Sequence, residues 1–333
     1  MSLVLVGAFL LAGADSLQGP VLGVDGARFT LDGRPAFLLG CSYYGALGVE
    51  DETVIARDLG DLATLGFNWI RVWVTWNAFE NNVTAVAPDG AARPPYLDRL
   101  KRLCHMAGEH GMVVDVTVTR GDAPDFPTNY EQHSAVMITL ARELLPFRNV
   151  YFDVGNERNV GDARYVPMEE VGRLIRAIKT IDPKRLCTAS QGGDISREEV
   201  IAYINEGEVD FLTPHRPRGA DSPAQTAEKT REYLDIMKEA RRIVPVHYQE
   251  PFRRGYGDYP PKAEDFLTDL SQAREGGAAG WCFHNGSVRG DDGNPEQRPR
   301  RSFDMRPAEG RLFDQIDDVE QEFLRRLKES SQP

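Results

Sequence analysis

The chain has 333 residues, 51 of them acidic and 39 basic, giving a formal net charge of −12. A surface this acidic repels nucleic acid and anionic membranes, so neither is expected as a partner. With 41% hydrophobic residues the chain can bury one large core or two small ones, and its oligomeric state is left open.

At the start, Leu3 to Leu11 is almost wholly apolar, and Ala12-Gly13-Ala14 before Asp15 resembles a small-residue cleavage site, although no Lys or Arg precedes it. The run is too short to span a bilayer, which takes about 20 helical residues. It predicts a signal peptide over 1–14 and a secreted or periplasmic protein with a single domain over 15–333. A cytoplasmic protein that buries this segment is the alternative. The four cysteines, Cys41, Cys104, Cys187 and Cys282, show neither a CxxC pair nor metal-ligand spacing and are expected to be buried free thiols.

Beyond the leader, Val24 to Phe37 reads as a β-hairpin with its turn at Asp32-Gly33. Apolar strand-like runs then alternate with amphipathic stretches. The predicted strands are Phe37–Cys41, Trp69–Val74, Val113–Val118, Val150–Val154, Leu186–Ala189, Phe211–Thr213, Val246–Gln249 and Gly280–Phe283. The predicted helices are Val54–Leu65, Tyr96–His110, Ser134–Leu145, Met168–Ile181, Ser196–Asn205, Ala224–Arg242, Ala263–Arg274 and Leu312–Leu327. Eight βα units close a (β/α)8 TIM barrel, an α/β fold. A doubly wound open sheet is the alternative, but no Gly-rich phosphate loop follows the first strand.

In such a barrel chemistry sits at the carboxyl ends of the strands. The fourth strand runs into Asn156-Glu157 and the seventh into Glu250. A carboxylate directly after a buried strand is poorly explained by solvation, although such residues are often structural ion-pair partners. Two of them facing across the barrel mouth suit glycosidic bond cleavage, which needs one protonated and one ionised carboxyl. Alternation on the seventh strand would put Val246, Tyr248 and Glu250 on one face.

Five segments taken together, LGFNWIRVWV, DVGNERN, TPHRP, HYQEP and GWCFHNG, resemble glycoside hydrolase family 5 and its clan A relatives over nearly the whole chain. The resemblance implies a retaining glycosidase acting on an oligo- or polysaccharide, with Glu157 as acid/base, Glu250 as nucleophile and Asn156 on the sugar 2-hydroxyl. It further implies that Arg71 corresponds to the family's second-strand arginine, His215 to its sixth-strand histidine and Trp281 to its eighth-strand tryptophan. Two departures stand out. Thr117 to Arg120 lacks the expected third-strand histidine, and Pro217 occupies the place of a tyrosine after His215. Tyr44 or Tyr248 is the candidate for the missing hydroxyl.

An inward Arg71 beside Glu250 would keep it ionised, the plainer reading being a core ion pair. Trp281 offers a sugar platform or, equally simply, a core aromatic. Trp76, and Phe79 in the loop after it, are expected at the cleft, with Phe252, Tyr256 and Tyr259 as further stacking candidates. Gly286 to Gly310 is a long charged loop, and Arg298, Arg300 and Arg301 in it read as solvated. No metal or organic cofactor is expected: the six histidines form no HxH pair, which weighs against a metal-dependent barrel hydrolase. A carbohydrate-binding barrel without catalysis is the other rival. The retaining reading predicts carboxyl groups about 5–5.5 Å apart and a raised pKa at Glu157.

Overall fold

The computed structural model describes residues 19–75, 77–78, 81–118, 125–160, 164–251, 259–285 and 311–330. An antiparallel sheet comes first: β1 (Leu22–Asp25), β2 (Arg28–Leu31) and β3 (Arg34–Ala36). The expected turn at Asp32-Gly33 is present, both residues at positive φ (52° and 75°). The hairpin gains a third strand because Gly26 (φ 56°) supplies a second tight turn.

The barrel strands are β4 (Leu38–Ser42), β5 (Trp69–Trp73), β8 (Val113–Thr117), β9 (Val150–Asp153), β10 (Leu186–Thr188), β11 (His247–Tyr248) and β12 (Gly280–Phe283). A small ribbon, β6 (Asn77–Ala78) and β7 (Asn81–Asn82), follows β5. The seven barrel strands pair in parallel in the order β10-β9-β8-β5-β4-β12-β11. The sixth predicted strand, Phe211–Thr213, is held by single bridges instead of a continuous ladder. Gln191 pairs with Pro214 and Leu212 with Val246, which joins the two ends of the sheet and closes the barrel.

Around it stand α1 (Glu52–Thr64), α2 (Tyr96–Glu109), α3 (Tyr130–Glu143), α4 (Met168–Ile181), α5 (Arg197–Asn205), α6 (Ser222–Glu239), α7 (Ala263–Gly276) and α8 (Asp318–Ser330). In α4, Met168, Val171, Leu174, Ile175 and Ile178 form the buried stripe that packs on the strands. Two helices differ from expectation. The third begins at Tyr130 because the Asn129 side chain caps Gln132 N. The last is a 3₁₀ turn, Leu312–Asp314, followed by α8. Asp58 captures Leu312 N and Arg311 Nε (2.9 and 2.8 Å). Asp317 and Glu320 then cap one another and start the helix anew.

The larger core lies between strands and helices, with Ile70, Val72 and Val74 facing outward into it. A second cluster fills the barrel base: Leu22, Phe29, Leu38, Trp69, Val113, Tyr151, Phe211, Ala279 and Cys282. Phe29 brings the N-terminal sheet up against this base as a plug. Trp69 fits because Gly40 stands opposite: a Cβ there would lie 1.9 Å from the indole Cε3. All four cysteines are buried and free, as expected. Among the described residues no helix is long and apolar enough to cross a membrane.

Candidate active site

One layer above the aromatic base, the barrel interior turns ionic. Arg71, on β5 between Trp69 and Trp73, is fully buried. Its Nε lies 3.1 Å from Asp115 Oδ2 and its Nη2 3.0 Å from Asp153 Oδ2, while Nη1 pairs with Glu250 Oε1. Nη2 also donates to Asn156 Oδ1 at 2.9 Å, which orients that amide. Burial pushes the Asp115 carboxyl up to about 7 despite Arg71. Gln249, buried just after β11, donates to Asp115 Oδ2 (2.8 Å).

Glu157 follows β9 in a left-handed conformation, φ 44°, costly for a residue with a Cβ. Its own N–H donates to Ser190 Oγ, Arg158 N to Ser190 O, and Asn156 N to Val118 O (2.9, 2.9 and 3.0 Å). The next side chain, Arg158, is buried and donates to Tyr203 Oη at 2.9 Å. These bonds hold the turn and aim the Glu157 carboxylate across the mouth.

There His215 Nδ1 stands 3.1 Å from Glu157 Oε1 and 3.6 Å from Glu250 Oε2. A carboxylate oxygen of each glutamate and an imidazole nitrogen lie within 4.8 Å of one another. Among the described residues this is the one cluster whose donors are close enough for a metal ion. The cationic and N–H groups already on Glu250 oppose a cation there.

Glu250 is only 5% exposed. Besides Arg71, Oε1 accepts from Tyr44 Oη (3.3 Å). Oε2 faces Arg218 Nη2 (3.1 Å), His284 Nε2 (3.5 Å) and His215. Burial pushes this carboxyl up, but His215, Arg71, His284 and Arg218 together bring it well below the usual carboxylate range. Burial also raises Glu157, yet the hydrogen bond and charge of His215 outweigh it and the carboxyl lies below its ordinary value. The expectation of a raised Glu157 is therefore corrected for this arrangement, because sequence did not place an imidazole between the carboxylates.

Glu157, Glu250, Asn156, Arg71, His215 and Tyr44 come together at the mouth. Tyr248 and Trp281 do not. Tyr248 points outward, its hydroxyl 2.6 Å from Thr230 Oγ1 on α6. Strand β11 ends at Tyr248, so the alternation that linked it to Glu250 is broken. Trp281 is fully buried, donating Nε1 to Asp269 Oδ2 on α7 (2.6 Å) and lying against Phe323 of α8. Tyr259 donates to Asp265 at the start of α7 (2.9 Å). Trp76, Phe79, Phe252, Tyr256, the loop over 286–310 with its arginines and the segment over 1–14 lie outside the described residues.

Sequence reading missed His284, Arg218, Asp115, Asp153 and Trp73. Trp73 is half-buried and tilted against Tyr44, ring centroids 4.5 Å apart. His284 takes the inward place after β12, with Nδ1 2.6 Å from Tyr44 Oη and 2.8 Å from Ser42 Oγ. Asp115 and Asp153 carried a signal, being lone acids inside apolar strands.

The family model for cellulase (glycosyl hydrolase family 5) matches residues 44–234. No curated protein sequence matches the chain. Among solved structures, a glycoside hydrolase superposes with a TM-score of 0.62 at 17% identity, covering 80% of this chain and 65% of its own. A family 5 glycoside hydrolase from Bacteroides vulgatus ATCC 8482 gives 0.63 at 16%, covering 80% and 62%. An endo-1,4-beta-mannanase from Rhizomucor miehei gives 0.67 at 14%, covering 93% and 99%. This chain thus spans less than two thirds of the length of the first two and nearly all of the third.

Proposed function

The chain belongs to glycosyl hydrolase family 5, and from that premise we propose that it is a retaining glycosidase with Glu250 as nucleophile and Glu157 as acid/base. The observation that carries the retaining mechanism is the approach of the two carboxylates to within 4.8 Å at their nearest oxygens. A retaining pair stands about 5–5.5 Å apart, whereas an inverting pair needs roughly 6.5–9.5 Å to admit a water.

Their surroundings separate the roles. Glu250 is buried among Arg71, Arg218 and two histidines and is held as the anion. Its Oε1 is tied to Arg71 and Tyr44; Oε2, which meets Arg218 and His284 and faces Glu157 through His215, attacks the anomeric carbon. Glu157, with 26% of its side chain exposed, reaches the leaving oxygen and gives it a proton. With His215 neutral, burial and the Glu250 charge both favour the protonated acid. Once Glu250 becomes an ester its charge is gone, the Glu157 pKa falls, and the ionised carboxylate takes a proton from water as general base. Water then attacks the anomeric carbon and frees Glu250.

The substrate is a carbohydrate, and Trp73 beside Tyr44 is the aromatic surface suited to a sugar ring. Mannan belongs in the first substrate panel beside cello-oligosaccharides, because a mannanase is among the structures of like fold. The test is stereochemical. Proton NMR of the first-formed sugar should show the substrate's anomeric configuration. Glu157→Ala should lose about 10²–10⁴-fold on poor leaving groups, keep the first step on activated aryl glycosides, and be rescued by azide to a glycosyl azide of retained configuration. An inverted product sinks the mechanism, and sugar binding without any turnover favours a binding barrel. Export belongs to the same proposal, and mass spectrometry from the native host should find a chain beginning near Asp15.

A further inference from the structure

The loop after the sixth strand carries two arginines turned opposite ways. Arg216 points back into the protein, 4% exposed, with Nη1 on Asp194 Oδ1 (2.8 Å) and Nη2 on Ser222 O (3.0 Å). That anchors the loop to the first turn of α6. Pro217 restricts the chain next, and Arg218 turns inward. Its Nη2 reaches Glu250 Oε2 at 3.1 Å and its Nε donates to Pro251 O at 3.2 Å. The guanidinium thus grips both the carboxylate and the backbone just behind it.

The charges around Glu250 show what this grip does. Facing it are Tyr44 after β4, Arg71 on β5, Glu157 after β9, His215 and Arg218 after the sixth strand, and His284 after β12. Arg71 divides its single charge among Asp115, Asp153 and Glu250. The histidines are charged only when protonated. Among the described residues, Arg218 is the one further arginine that faces Glu250.

We propose that Arg218 is a catalytic residue that orients the attacking oxygen of Glu250 and supplies the charge that keeps it ionised, in the place where this chain has no tyrosine after His215. The proposal rests on Glu250 being the nucleophile. Without Arg218, one of the positive charges that hold the Glu250 carboxyl down is lost while the shared charge of Arg71 remains, so the nucleophile ionises only at higher pH.

The experiment uses the full chain and the aryl glycoside that wild type turns over fastest among gluco, manno and galacto forms. In Arg218→Met the acid limb of kcat/KM should move up by about one pH unit or more, a loss of about tenfold below the limb. Arg218→Lys keeps the charge but not the double grip, so its limb should stay within about half a unit while kcat falls. Circular dichroism checks that both variants fold; should Met fail to fold, a lysine limb moved up as far as expected for Met overturns the proposal. The matching 2-deoxy-2-fluoro glycoside with a dinitrophenyl leaving group is used to trap the covalent intermediate, and the labelled peptide is sequenced. A label on Glu250 with an unmoved acid limb in Arg218→Met overturns the role of Arg218 alone. A label on another residue, or no turnover on the whole panel, overturns the mechanism on which it rests.

Discussion

The interior of the barrel has two storeys built by the same strands. At the base, Phe29 from the N-terminal sheet packs edge-to-face on Phe211 and His247, both of which meet Tyr151 edge-on, while Trp69 meets His247 edge-on and stacks on Tyr151, ring centroids 4.4–6.4 Å apart. At the mouth, two residues further along β5, Arg71 gathers Asp115, Asp153 and Glu250. His247 shows the contrast with His215. At the base burial holds the imidazole down to about 3, so it stays neutral. At the mouth His215 lies between two carboxylates. Apart from His247, which must stay neutral, the packing at the base is indifferent to where protons sit, whereas the ionic storey works only in particular charge states.

Changes at the two storeys should therefore fail in different measurements. The largest effect is expected at the mouth, where Glu250→Ala should cut turnover by roughly 10⁴-fold or more on every substrate, leaving folding intact. Trp69→Ala should do the reverse: about 3–5 kcal/mol of stability lost in urea unfolding, with little change in kcat of the folded enzyme. If that variant keeps its stability, the base is not the plug described above.

A smaller effect concerns His247. Its folded pKa lies below the unfolded value, so the unfolded chain binds the extra proton and its contribution to stability is complete above about 6.5. That contribution falls as pH drops from there towards the folded value of about 3. His247→Asn should remove this part of the slope, at most about 1.4 kcal/mol per pH unit. Equal slopes in both proteins would mean that the imidazole takes up its proton as readily at the base as in the unfolded chain. The smallest effect is none: exhaustive chelation should leave activity unchanged, since two carboxylates suffice. Loss with EDTA and recovery with a divalent ion would turn Glu157, His215 and Glu250 into metal ligands.

Much of the upper storey was visible in the sequence. Alternation on β5 separates Ile70, Val72 and Val74 from Trp69, Arg71 and Trp73, and the structure keeps that division. Alternation was less informative where a strand ends early or where either parity is apolar. β11 stops at Tyr248, so Glu250 leaves the strand before the pattern reaches it. In GWCFHN both Trp281 and Cys282 can face a core. The parity is decided by His247: a Cβ on Gly280 would lie 2.3 Å from its Nδ1, so the glycine faces inward and the tryptophan is turned to the helices. The same parity brings His284 to Glu250.

The sequence by itself determined the repeating βα pattern, the family and the two strand-end glutamates, because periodicity and short motifs are local properties. It also made the inward position of Arg71 readable. Only the tertiary structure decided which side chains surround the carboxylates. Arg218 and His284 reach Glu250 from loops 32 and 34 residues away along the chain, and His215 stands between Glu157 and Glu250. These meetings depend on closing the barrel through Leu212 and Val246, and on the opposite turns of Arg216 and Arg218. Neither is a property of any short stretch of sequence, since each depends on packing between residues distant in the chain.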